Sequence, residues 1–238
     1  MWVVPAAEAA MRSVSSARMY AHSMHAHMKL VSRTFRTSMA IITDPAQLPT
    51  RDTILDFWFG APGEPDHGKV RPLWFTKSEH TDATIRKLFE PAVEAALVGG
   101  FAEWTAQPRS RLALVLLLDQ FTRNIFRDTP RAFAGDARAL HLARSAVASG
   151  EDMALSTLER WFLYMPFEHS EVLADQRESV RLFTRLAQET GDKGPLEWAQ
   201  KHFEVVERFG RFPHRNAILG RPTTVDERKF LEQPGSRF

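Results

Sequence analysis

Three stretches of the 238-residue chain concentrate side chains able to move protons or hold anions. The first contains Asp119, Gln120, Arg123, Asn124 and Arg127. At 100° per residue, Asp119, Gln120, Arg123 and Arg127 fall within one arc of a helix, with Asn124 beside it. The i,i+4 spacing of Asp119 and Arg123 suits an intrahelical ion pair on a solvated helix end, worth about 0.3–0.5 kcal/mol. It suits equally an arginine-rich wall at the mouth of a cleft. The second stretch is Glu168-His169, where a histidine titrating near neutrality has a carboxylate next to it. That pair is either a capping and hydrogen-bonding junction or a general acid–base couple. Further along, Asp175 lies at the edge of an apolar helix face. Gln176 lies in the middle of that face, where it must find partners or cost about 1–3 kcal/mol. The third stretch places His202 on an apolar arc made by Trp198, Ala199, Phe203, Val205, Val206 and Phe209. Arg208 follows, then Gly210 and the loop Arg211-Phe212-Pro213-His214-Arg215-Asn216. A histidine in the middle of an apolar face is usually a satisfied core residue, whereas a rigid polar loop is a common carrier of binding groups.

Gathered in one pocket, these groups divide by chemistry. His169 and His214 are the acid–base candidates, with Glu168 or Asp175 to orient them. Arg123, Arg127, Arg208, Arg211 and Arg215 offer forked donors to a carboxylate or phosphate. Asn124, Gln176 and Asn216 offer neutral hydrogen bonds, and Asp119, Gln120 and His202 complete the candidate lining. The reading requires Arg123, His169 and His214 to lie within about 15 Å of one another. A metal held by Glu168, His169, His202 and His214 is a weaker alternative. No ligand pair has a recognised spacing, and nearby arginines repel a divalent cation. No Gly-x-Ser-x-Gly, Gly-x-Gly-x-x-Gly or phosphate-loop motif occurs, so neither a nucleophilic serine nor a nucleotide cofactor is expected, and no other cofactor is implied.

The elements that must position these groups read as helices. Apolar periodicity and end signals mark helices over 52–59, 79–98, from Pro108 onward, from Pro130 to about Ser149, and over 155–164, 170–189, 195–209 and 223–232. Residues 112–118 are apolar on every side, as in a helix enclosed by its neighbours. Ser170 is the expected N-cap of the 170–189 helix. Trp58, Trp74, Phe75 and Trp104 are assigned to the core. No run of alternating residues demands a strand, so the expected class is all-α, a single bundle or array of about eight to nine helices.

Hydrophobic residues make up 44% and charged residues 25%, values of an ordinary globular chain. The absence of cysteine removes disulfides, iron–sulfur clusters and thiol chemistry. The longest apolar run, Leu112–Leu118, is far short of the ~20 residues a membrane span needs. A sequence pI near 9.1 suggests a basic protein. The charge is uneven, however: residues 1–50 carry five basic and two acidic residues, leaving 26 basic against 27 acidic in 51–238. A nucleic-acid partner is therefore not expected, and neither is a membrane. Residues 1–45 read as a disordered leader, a mis-assigned start or a mitochondrial-type targeting segment. His22, His25 and His27 there suit at most weak metal chelation. The expected location is cytoplasmic, or the mitochondrial matrix if the segment is a transit peptide.

The same polar stretches carry a family resemblance. Asp119-Gln120-Phe121-Thr122-Arg123-Asn124-Ile125-Phe126-Arg127, Thr129-Pro130-Arg131-Ala132-Phe133, Pro166-Phe167-Glu168-His169-Ser170-Glu171 with Leu173-Ala174-Asp175-Gln176, and Arg208 through Asn216 resemble the signature blocks of the DUF924 family. The opening Asp56-Phe57-Trp58-Phe59-Gly60 and the closing Pro234-Gly235-Ser236-Arg237-Phe238 match as well, so the likeness runs over roughly 52–238. Thr122 stands where the family usually has proline, Asp128 where it often has glycine, and Val172 where an acid is common. The resemblance implies an all-α, tetratricopeptide-like fold for 46–238, and it implies no activity. Such arrays hold peptides in concave grooves, which makes an interaction module clamping an acidic peptide the alternative to a pocket for a small anionic molecule.

Overall fold

The computed structural model describes residues 48–236, so the expectations for the leader and its three histidines lie outside the described residues. Among the described residues there are eight α-helices joined by short 3-10 turns, and no strand. They are α1 (Arg51–Phe59), α2 (Glu79–Leu97), α3, α4 (Asp136–Ser149), α5 (Thr157–Glu168), α6 (Leu173–Thr190), α7 (Gly194–Phe209) and α8 (Val225–Leu231). Helix α3 has three parts: an α-helical stretch Pro108–Val115, a π-helical stretch Leu116–Phe121 and a final α-turn Thr122–Ile125.

Side-chain caps set several of these starts. Thr50 and Ser78 accept from backbone amides of α1 and α2, and Ser156 with Glu159 and Thr224 with Glu227 form reciprocal capping boxes on α5 and α8. Two expected starts move. Pro130 opens a 3-10 turn, Pro130–Phe133, and α4 begins only at Asp136. Helix α6 begins at Leu173, not Ser170: the Ser170 hydroxyl accepts from the Val172 amide at 3.2 Å and donates to Asp175 at 2.6 Å, which makes a turn ahead of the helix.

Helix α3 is the axis of the core. Leu112 to Leu118 have no exposed surface, and α1, α2, α4 and α5 pack around the helix. A continuous aromatic cluster joins Phe57, Trp58, Phe89, Phe121 and Phe162 across these interfaces. Trp58 is buried, and Trp74 and Trp104 pack against the core, but Phe75 is 56% exposed and stacks outside it on Trp161. Its position in the sequence resembles that of its core neighbours; only the partner surface separates them.

The π-helical stretch carries the polar end of α3 into this core. A π turn holds an extra residue and redirects the side chains on it, a feature often found at functional sites. Asp119 is fully buried here and Gln120 nearly so. The start of α4 is pressed against the same turn. A Cβ on Gly135 would sit 2.2 Å from the Leu118 carbonyl oxygen, and that oxygen already accepts from the Thr122 hydroxyl at 2.8 Å. Only glycine permits the approach that delivers Asp136 to Arg123. Replacing Gly135 by alanine is expected to lower stability by about 2–3 kcal/mol, or roughly 5–10 °C in Tm, through a backbone clash that no rotamer relieves. Thermal and urea melts check this; an unchanged midpoint would mean that the start of α4 tolerates displacement from Leu118.

Candidate functional site

The site is built outward from Asp119, which has no exposed surface. Its Oδ1 lies 2.8 Å from His169 Nδ1 and 3.3 Å from Arg123 Nη1, and its Oδ2 accepts from Gln120 Nε2 at 2.6 Å. Burial pushes this carboxyl upward, but Arg123 and then His169 outweigh it and hold the group well below the usual carboxylate range. Asp119 is therefore ionised and His169 Nδ1 carries a proton toward it. Burial and then Arg123 lower the His169 pKa, and the charge of Asp119 opposes them, so the ring is neutral at neutral pH. His169 is 11% exposed, and its Nε2 has no hydrogen-bond partner among the described residues.

Behind His169, the end of α5 is held by side chains from elsewhere. Gln176 Nε2 donates to the carbonyls of Phe167 (3.4 Å), Glu168 (2.6 Å) and Ser170 (2.6 Å), and Arg215 Nη2 donates to that of His169 (3.0 Å). Four consecutive carbonyls that a helix end would leave to water thus have buried partners. Glu168 points inward, 3.1 Å from Nδ1 of His202. That nitrogen also contacts the Trp198 carbonyl at 2.9 Å, so it carries the ring proton. The contact is not an ion pair. Burial, followed by repulsion from Asp119, raises the Glu168 carboxyl to about 8, while burial lowers His202 to about 3. Both partners are neutral at pH 7.

The loop after Gly210, whose φ of +69° ends α7, closes the cluster. Phe212 packs its ring on His202 (5.5 Å) and on His214 (5.6 Å), and His169 lies 6.4 Å from His202, centroid to centroid. Burial and Arg215 lower the His214 pKa to about 4. Arg215 lies over the rings of Phe133 (4.6 Å) and Phe212 (4.7 Å) and reaches Asp136 at 3.4 Å. Arg123 forks onto the same Asp136 at 3.0 and 3.1 Å. Glu171 anchors the loop: its carboxylate accepts from the Phe212 amide at 2.8 Å and from Arg221 at 2.6 and 2.9 Å.

Of the residues expected from sequence, the fold gathers Asp119, Gln120, Arg123, Glu168, His169, Gln176, His202, His214 and Arg215. Arg123, His169 and His214 are linked stepwise through Asp119, His202 and Phe212. The others serve elsewhere. Helix α3 ends at Ile125, so Arg127 leaves the expected arc and forks onto Asp82 at 2.7 and 2.8 Å, where Asn124 also donates at 2.8 Å. Asp175 pairs with Arg144 and Ser170. Asn216 accepts from Arg221 at 3.0 Å inside the loop. Arg208 and Arg211 line an open cleft of about 410 Å³ with Phe209, Thr224, Asp226 and Glu227, and Arg211 is already forked by Glu227. That cleft shares no residue with the histidine cluster. Among the described residues, no three His, Cys, Asp or Glu side chains converge as a metal ion would need.

Four contributors were not singled out from sequence: Asp136, Phe133, Glu171 in its anchoring role, and Arg221. An acid in a helix's first turn, as Asp136 is in α4, reads as an ordinary complement to the helix dipole. Nothing local ties it to Arg123. Asp128 adopts φ +61°, a left-handed conformation that accounts for the glycine common there in the family it resembles.

The fold and this cluster define an all-helical protein with a buried, charge-compensated group of titratable side chains. A family model described as a bacterial protein of unknown function, DUF924, matches residues 54–235, and the chain belongs to that family. It is also similar to a solved structure of a protein of unknown function from Agrobacterium tumefaciens. The two are 40% identical with a TM-score of 0.66, over 76% of this chain and 96% of the other. No curated protein matches it.

The raised Glu168 pKa gives stability a defined pH dependence. A group whose pKa is higher folded than unfolded stabilises below its unfolded value, here near 4.5, and loses that contribution as pH rises to the folded value, about 8. His169, His202 and His214 have the opposite sense, and their contribution goes on growing until about a pH unit above 6.5. Between pH 6.5 and 8 the Glu168 loss, about 2 kcal/mol, is therefore read as the difference between the unmodified protein and Glu168→Gln, which share the histidine contribution. Urea midpoints of the unmodified protein should fall relative to those of Glu168→Gln over that window. A constant difference would show that Glu168 ionises freely.

Proposed function

We propose that this protein binds a small anionic metabolite beside His169 and uses the Asp119–His169 pair as a general base. One observation carries the reading: a neutral imidazole is fixed through Nδ1 to a buried carboxylate at 2.8 Å, while its Nε2 is left without a partner among the described residues. The carboxylate selects the tautomer that leaves the Nε2 lone pair available, and it stabilises the imidazolium formed when that nitrogen takes a proton. Lowering the ring's pKa below its ordinary value keeps it unprotonated and able to accept at neutral pH. Arg123, Arg215 and His214 supply the polar wall for the ligand. Glu168, kept protonated by burial next to His169, is a second proton source within the same cluster. An acidic-peptide clamp would need a row of open arginines, and Arg127 and Arg211 are already forked by Asp82 and Glu227.

Imidazole NMR titration tests the dyad directly. His169 should titrate below 6.5, and Asp119→Asn should lower its pKa by a further unit or more, because it removes the charge that favours the imidazolium. Small carboxylates and phosphates titrated onto the protein should shift the His169 and His214 resonances together. A His169 that is charged at neutral pH, or whose titration ignores Asp119→Asn, overturns the reading.

A further inference from the structure

Asp136 pairs unequally with two arginines. Its two oxygens fork onto Arg123 at 3.0 and 3.1 Å, but its contact to Arg215 is 3.4 Å. Arg215 is only 8% exposed and packs against the rings of Phe133 and Phe212. Its N–H donors point outward in the guanidinium plane. There Nη2 is used by the His169 carbonyl, while Nε is buried with no acceptor. A buried guanidinium thus meets its counter-ion through one long contact and keeps one donor unsatisfied, an arrangement that costs free energy. Asp136 has no other hydrogen-bond partner among the described residues and is 22% exposed, so it has water to move into.

We propose that Arg123 and Arg215 form a carboxylate site in which Asp136 is the resident occupant and a small monocarboxylate ligand exchanges for it. The inference rests on the reading of the His169 cluster as a ligand site and names the ligand's anchoring group. Planarity favours a carboxylate, which lies in the plane of both guanidinium groups and is held by paired N–H donors. Charge favours a monoanion. Arg123 and Arg215 are balanced by Asp119 and Asp136, and a monocarboxylate replacing Asp136 preserves that balance. A phosphate dianion would leave excess negative charge beside the buried Asp119.

Chemical rescue tests the exchange. Thermal melts of the full chain and of Asp136→Ala are compared in formate, acetate and propionate up to tens of millimolar, with chloride and phosphate at matched ionic strength. In chloride, Asp136→Ala should melt below the unmodified protein. Monocarboxylates should restore roughly half or more of that loss with a saturable dependence, because binding to the native state raises its apparent stability. They should shift the unmodified protein less, since Asp136 must first be displaced. Absence of rescue, or equal rescue by chloride or phosphate, overturns the proposal. Should Asp136→Ala fail to fold, Asp136→Asn keeps the shape without the charge. In it the Arg215 Nε–H resonance should move saturably with acetate, and a resonance that stays fixed overturns the proposal. The Asp119-dependent His169 titration, measured in the same samples, reports on the general-base reading independently; that titration intact with no rescue removes the carboxylate site alone.

Discussion

A carboxylate without access to water must be matched by charges and hydrogen bonds, or it costs several kcal/mol and becomes protonated. Asp119 sits under that constraint at the centre of this fold, and much of the surrounding arrangement follows from meeting it. Arg123, His169 and Gln120 are its three partners, from its own helix and from the end of α5. Each must then be held in place. Asp136 holds Arg123, Arg215 and Gln176 hold the chain around His169, and Met165 offers its sulfur to the Gln120 amide at 3.5 Å. The needs of a single buried charge thus connect α3, α4, α5, α6 and the loop after α7. A chain of this kind is strongly interdependent, since removing one member leaves the next with an unpaired buried group.

Backbone geometry makes the chain possible at two points. The π-helical stretch turns Asp119 and Gln120 into the interior at the end of an otherwise apolar helix, and Gly135 lets α4 start in contact with the Leu118 carbonyl on that stretch. The end of α5 is the other junction. Its last carbonyls face protein rather than water, and they are tolerated there because Gln176 and Arg215 reach them from elements later in the chain. His169 is thus the terminus of a rigid helix fixed at its backbone and at Nδ1, while Nε2 stays available.

Arginine content is a poor guide to anion binding here. Arg123, Arg127 and Arg211 each fork onto a carboxylate from another element. The arginine-rich segments are therefore largely internal cross-links, and within the histidine cluster the guanidinium that keeps an unmatched donor is Arg215, which packs against the rings of Phe133 and Phe212. The histidines follow a related logic. His169, His202 and His214 are all held below the ordinary imidazole range, chiefly by burial, so the three rings add no charge to the core at neutral pH.

The helical class, the enclosed nature of residues 112–118 and the polar stretches at 119–127, 168–176 and 208–216 were legible in the sequence. They depend on local periodicity, on end signals such as Pro108 and Gly210, and on the types of neighbouring residues. The hydrogen-bonding need of Gln176 was legible too, because an amide on an apolar face requires partners wherever they come from. Which groups would meet was decided by tertiary structure. Periodicity cannot report a π turn or the helix end at Ile125, so Arg127 was grouped with Arg123 although the two bind different aspartates. Nor can it report Asp136, whose position in a helix's first turn is commonplace until Gly135 sets it against Arg123. Sequence determines what each side chain is able to do over a few residues of helix. The pairing of charges depends on distances between elements, and only the packed chain fixes those.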